Sequence, residues 1–278
     1  MSHFFLIMCG VISAAITYGA CSRTQWIIRC ILSLTIGLLT SILLLFLAPS
    51  SSPHTNLNSV IVGISGDFPP FTFVQEGEIV GFDKDLIEEI GRRLTKKIVF
   101  KNMPFSTLLP SLQLGTLHVV ASGVTPTTER AQRVLFTQPY IENNPLVIVS
   151  LSSAPAENIK DIVNKEVIVN EGYTADSYIS NLTGERPTVR RLKSPAEAFL
   201  ALKSGRSFAF VTAHNTVKPF FDHYGTDQFH VAVIPNTEES ASLAIAPQYP
   251  KLLEEIESAL ETMKKDNTLQ NLKNKWGL

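Results

Sequence analysis

Two apolar runs open the chain, a short one at residues 4–20 and a second at residues 30–48 that has about the length that crosses a bilayer core. Arg23 and Arg29 stand between them, and Ser50–Ser51–Ser52–Pro53 closes the stretch. Beyond it, short apolar runs alternate with amphipathic ones. Val60–Ile64, Phe71–Val74, Ile98–Phe100, His118–Ala121 and Leu146–Val149 read as strands. Asp83 is placed to cap a helix with Leu86, Ile87, Ile90 and Leu94 on one face, and Ser106 to cap another carrying Leu108, Leu109 and Leu112. The series then repeats. Strands are predicted at Glu166–Val169, Thr188–Arg191, Phe208–Val211, Phe229–Ile234 and Ser242–Ala246, with helices between them and two more after the last strand. Ser194 and Glu197 have the spacing of a capping box. Strands alternating with helices predict an α/β fold with mainly parallel sheets, and their number predicts two lobes.

Composition divides the chain in two. Residues 1–53 hold no Asp or Glu, so a greasy leader precedes a polar body. The leader reads as an export signal with a long n-region or as an uncleaved membrane anchor. Gly19–Ala20–Cys21 has the look of a lipoprotein cleavage box, but Tyr18 stands where an aliphatic residue is wanted, which disfavours lipidation. In the whole chain 45% of residues are hydrophobic and the net charge is -1, which excludes disorder for most of it. Lys plus Arg (24) balance Asp plus Glu (25) without a basic block, which argues against nucleic acid as a partner. The three cysteines, Cys9, Cys21 and Cys30, all lie in the leader, so the body has no disulfide, thiol nucleophile or thiolate metal site. The six histidines show no metal spacing, and His214 pairs with no recognisable nucleophile. No cofactor is expected.

The segment Gly63–Ile64–Ser65–Gly66–Asp67–Phe68–Pro69–Pro70–Phe71–Thr72–Phe73, followed by Val80–Gly81–Phe82–Asp83–Lys84–Asp85–Leu86, resembles the opening of family 3 extracellular solute-binding proteins, the polar amino-acid receptors of ABC importers. Phe105–Leu112, Ser122–Arg130, Phe136–Tyr140 and the ending Leu272–Gly277 also resemble family segments, in family order, over about residues 58–278. The resemblance implies a two-lobed periplasmic-binding-protein-like fold of type II, with the ligand cleft between the lobes and the hydrophobic leader ahead of them. Residues 1–53 would be the signal or anchor, 58–148 plus 239–278 the first lobe and 149–238 the second, with crossovers near Val149 and Thr237.

Arg130 is the first candidate for binding, because a guanidinium holds a carboxylate through two parallel hydrogen bonds. The loop before it ends at a helix N-terminus, which also favours an anion. The resemblance gives Gly123, Thr125 and Arg130 the ligand's α-carboxylate. It makes Phe68 and Phe105 aromatic walls and puts Ser65 beside the ligand side chain, with Asp67 a further binding candidate. In the second lobe Gly172, Tyr173 and Thr174 match the turn that closes on the ligand, with Tyr173 bulkier than usual there. The family's acid for the α-ammonium falls on Ala213, so Glu171, Asp67 or Glu142 must replace it, or Asn215 through its side-chain carbonyl, unless the ligand lacks the amine. A neutral Ser65, where several relatives place an aspartate, favours a neutral or acidic ligand over lysine or arginine.

The resemblance therefore implies an exported, non-catalytic receptor for an amino acid or related small carboxylate. It would be monomeric and periplasmic, or tethered facing the periplasm, and would deliver its ligand to an ABC permease in the membrane. The alternative is a cleft enzyme on the same scaffold, of the dehydratase or peptidoglycan-cleaving type. A receptor's sensing domain is a third option, disfavoured by the end of the chain at Leu278.

Overall fold

The computed structural model describes residues 36–37 and 57–278. The expectations for the leader, whether signal, anchor or lipidated Cys21, lie outside these residues. Among the described residues, no helix is long and apolar enough to cross a membrane.

The body begins with β1 (Ser59–Ile64), β2 (Asp67–Phe68), β3 (Thr72–Gln75), β4 (Glu78–Val80), α1 (Phe82–Leu94), β5 (Lys97–Asn102) and α2 (Phe105–Gln113). It continues with β6 (Val119–Val124), α3 (Thr128–Ala131), β7 (Leu135–Phe136), β8 (Ile141–Leu151), a 3₁₀ turn at Ile159–Ile162, β9 (Glu166–Asn170), α4 (Thr174–Ser180) and β10 (Thr188–Leu192). It ends with α5 (Pro195–Lys203), β11 (Ala209–Ala213), α6 (His214–Tyr224), β12 (Phe229–Ile245), α7 (Pro250–Lys265) and α8 (Thr268–Trp276).

The large sheet has the order β10-β9-β11-β8-β12-β6-β1-β5, and β7 also pairs with β12. β1 is parallel to β5 and β6, and β9 is parallel to β10 and β11. β8 and β12 join these two parallel groups by running antiparallel to each other and to their neighbours. Each group has its own core. Val62, Ile64, Leu86, Leu108, Val120 and Leu260 belong to the first. The second group's part of the sheet is covered on both faces, by a cluster around Ile148, Val169, Ile179 and Val211 and by one around Ile168, Phe199 and Phe210. Burying each such aliphatic side chain contributes roughly 1.5–3 kcal/mol.

Four expectations change here. Phe229–Ile234 and Ser242–Ala246 are parts of one 17-residue strand, β12, kept continuous through register shifts after Val233 and Glu239. β8 likewise extends beyond Leu146–Val149 to Ile141–Leu151. The chain passes between the cores along β8 between Ile141 and Leu146, and along β12 between Ile234 and Ala241. Thr237 lies in that passage, whereas Val149 is buried in the core of the second group, paired with Phe210 and Val231. Asp83 and Ser106 do not cap their helices. Gly81 and Pro104 hold those positions, and Asp83 is buried inside the first turn.

Candidate functional site

The predicted site segments follow the carboxyl ends of parallel strands, where open α/β sheets hold ligands. Ser65 and Asp67 follow β1, Gly123 lies at the end of β6 with Thr125 just beyond it, Gly172 to Thr174 follow β9, and Ala213 to Asn215 leave β11. A cleft of about 680 Å³ opens between the two groups, lined by Phe105, Thr125, Arg130, Gly172, Thr174 and Glu239 among others.

Arg130 sits in the short α3, whose N-cap Thr127 accepts from the Arg130 N–H at 3.2 Å. Its Nη1 donates to the Thr125 carbonyl at 2.9 Å and its Nη2 crosses to the Gly172 carbonyl at 2.8 Å. The guanidinium carbon stands 5.9 Å from the centre of the Phe105 ring. Burial pulls the guanidinium pKa down, opposed by Glu239 and Glu129. It remains charged all the same, as arginine does in proteins.

Opposite it stands Glu239, which sequence reasoning missed. It is a buried carboxylate on β12, and Thr125 Oγ1 donates to its Oε2 at 3.2 Å. Burial pushes its pKa up, against hydrogen bonding by Thr174, the charge of Arg130 and the Thr125 hydroxyl. The signal is Glu238–Glu239, an acidic pair beside the expected crossover at Thr237, between two predicted strands. Of the acids proposed to replace the one absent at Ala213, Glu171 and Glu142 are exposed and outside this cleft.

Asp67 and Ser65 belong to a second cavity of about 350 Å³, shared with Asn102, Met103 and Lys193. Ser65 Oγ donates to Asp67 Oδ1 at 2.6 Å. Burial raises the Asp67 pKa, with the Ser65 hydrogen bond opposing it. Asn215 lines a third cavity, beside Phe73, Lys218 and Trp276, and its N–H donates to Asn144 Oδ1 at 2.8 Å.

Two predicted contacts are already engaged. The Gly123 N–H donates to Asp83 Oδ2 at 2.7 Å. Phe68 is buried in the first core, stacked on Phe71 with ring centres 5.0 Å apart. Tyr173 packs on both expected walls, with its ring centre 4.4 Å from Phe105 and 5.6 Å from Phe68. The structure thus gathers Arg130, Thr125, Phe105, Gly172 and Thr174 around one cleft, adds Glu239, and places Ser65, Asp67 and Asn215 elsewhere. Among the described residues, no cluster of three or more His, Cys, Asp or Glu could hold a metal ion.

Residues 60–278 match the family model described as bacterial extracellular solute-binding proteins, family 3. The chain is 31% identical to the ABC transporter arginine-binding protein 1 of Escherichia coli (strain K12), over 77% of this chain and 88% of that protein. Its fold is similar to that of an ancestral arginine-binding protein bound to arginine, with TM-score 0.72 and 33% identity, covering 79% of this chain and 98% of the other. It is also similar to an ancestral amino-acid-binding protein described as a precursor of cyclohexadienyl dehydratase, with TM-score 0.70, 29% identity and coverage of 79% and 95%.

Proposed function

The chain belongs to family 3 of the bacterial extracellular solute-binding proteins, and from that membership we propose that it captures a free amino acid for an ABC importer without transforming it. The observation that carries this reading is Arg130, which lies in the cleft with its two terminal guanidinium nitrogens on backbone carbonyls. A ligand carboxylate is a stronger acceptor for the same two donors, because a charge-assisted pair is about twice as strong as a neutral one. Thr125 and Thr174 add hydroxyls at the same end. Glu239 supplies the counter-charge for the α-ammonium that Ala213 does not provide. Such a ligand touches both lobes and so favours the closed form.

In this reading the first lobe comprises about residues 58–141 plus 241–278 and the second about 146–234, with the passages between them as hinges. The protein is exported, works as a monomer and docks on a permease. The relative that precedes a dehydratase bears on the enzymatic alternative. That alternative needs a cleft carboxylate placed to move a proton, whereas the buried one, Glu239, is engaged by Thr125 and Thr174, and the other two lining the cleft, Glu129 and Glu238, are exposed, Glu129 in a pair with Arg133.

Calorimetry of the full-length protein with arginine, glutamine, histidine and alanine tests the proposal. Arg130→Ala should weaken the best ligand by about thirtyfold or more, since breaking a buried charge pair costs about 2–5 kcal/mol. Binding within about twofold of the parent would remove Arg130 from the site.

A further inference from the structure

Tyr173 comes from the second lobe, in the turn after β9, yet its side chain belongs to the core of the first. Its ring lies against Phe105 and Phe68, whose rings the sequence offers as the walls of a ligand slot. Its hydroxyl is buried without a hydrogen-bond partner. Such a group is costly to leave unpaired, so the ring and not the hydroxyl holds Tyr173 in this place. The residue before it, Gly172, gives its carbonyl to Arg130. Gly172 also approaches the start of α2 so closely that a Cβ there would lie 3.2 Å from Ser106 Cα. One turn of the second lobe therefore does what a bound amino acid would do. A carbonyl oxygen occupies the guanidinium, and a ring occupies the aromatic walls.

Two cavities adjoin the ring's neighbours. Phe105, on which the ring packs, lines the Arg130 and Glu239 cleft, and Asp67, whose charge acts on the Tyr173 hydroxyl, lines the chamber shared with Ser65 and Lys193. The wall they share is the stretch 103–106, with Met103 and Pro104 facing one cavity and Phe105 and Ser106 the other. An amino acid with a short side chain fits beside Arg130 without disturbing the ring. One with a long side chain needs the slot that Tyr173 fills.

We propose that Tyr173 is the specificity-determining residue of this receptor, a built-in occupant of the aromatic slot that bars long side chains from the Asp67 chamber and favours short ones. The proposal rests on the amino-acid reading above, but part of its test does not. Arginine serves as the long probe, since its cationic end suits Asp67, and alanine as the short one.

In calorimetry, Tyr173→Ser should bind arginine about tenfold or more tightly than the parent and alanine within about threefold, because the slot is emptied and the Arg130 end is kept. Tyr173→Phe keeps the ring and should retain the parent's arginine-to-alanine ratio. Tyr173→Thr makes the same test should the serine variant not fold. An unchanged ratio in the folded small-residue variant overturns the proposal. If no amino acid binds to parent or variant, the amino-acid reading falls and small-angle scattering of the ligand-free proteins decides. A larger radius of gyration for Tyr173→Ser than for the parent upholds Tyr173 as the occupant that joins the lobes, and equal radii overturn it.

Discussion

Gly123 donates its N–H to the carboxylate of Asp83 over 2.7 Å, and so the loop that leads to Arg130 is anchored to a buried acid. Burial pushes Asp83 from an ordinary 3.8 to about 6, against the pull of Tyr140 and of the Gly123 N–H. A carboxyl whose folded pKa exceeds its unfolded pKa holds a proton that the unfolded chain has already released. Its contribution to stability is therefore full at low pH and is lost between about pH 4 and pH 6. Asp83→Asn keeps an acceptor for Gly123 and removes the titration. In urea unfolding, the variant should gain on the parent by on the order of 2 kcal/mol between pH 4.5 and pH 7.5. Parallel stability curves for the two proteins would show that Asp83 does not titrate in this window.

Gly123 also has a conformation that a side chain would strain. Its φ is +57°, and a Cβ there would lie 2.6 Å from Phe68 Cε1 in a ring already stacked on Phe71. Gly123→Ala should cost about 2–4 kcal/mol, one part for the left-handed backbone and one for overpacking. A denaturant midpoint equal to the parent's would mean that Phe68 gives way freely.

Much of this was legible in the sequence, and the losses share a cause. β1, α1, α2 and β9 carry apolar positions at strand or helix spacing, so their existence follows from burial alone. β8 and β12 were cut short because Glu142–Asn143–Asn144–Pro145 and Pro235–Asn236–Thr237–Glu238–Glu239 are polar and hold prolines. They are strands all the same, because each pairs with the other across the passage between the cores. Pairing over about ninety residues of separation leaves no local pattern. Glu239 was lost with that stretch. Arg130 was found because a motif names it, whereas the place of Tyr173 depends on rings brought together from three separate segments.

Asn143 and Asn236 mark the two passages, with φ values of +59° and +60°. Asparagine accepts the left-handed region, whereas a β-branched residue there is a strong outlier. Asn236→Val should lose about 1–3 kcal/mol of stability while Asn236→Gly stays within about 1 kcal/mol of the parent. Equal losses in urea unfolding would assign the effect to the side chain's contacts instead of its backbone.

The last prediction concerns the acid that Ala213 lacks. Glu239 is buried within reach of Thr125 and under the influence of Arg130, so an ammonium placed between the lobes would meet a carboxylate there. A site built around a paired ammonium rejects the amine-free analogue, because the acid is then left buried and unpaired. The parent should therefore prefer alanine over propionate by about a hundredfold, and Glu239→Gln should reduce that preference to about tenfold or less. Glu171→Gln should leave it unchanged, since Glu171 is exposed and outside the cleft. Burial raises the Glu239 pKa, so its carboxylate is protonated sooner than an exposed one as pH falls, and the preference for the amine should fade with it. Competition calorimetry at pH 7.5 and pH 5 checks both statements. A preference that survives Glu239→Gln would move the ammonium to another acid, with Asp67, which lines the second cavity and acts on the Tyr173 hydroxyl, as the next to substitute.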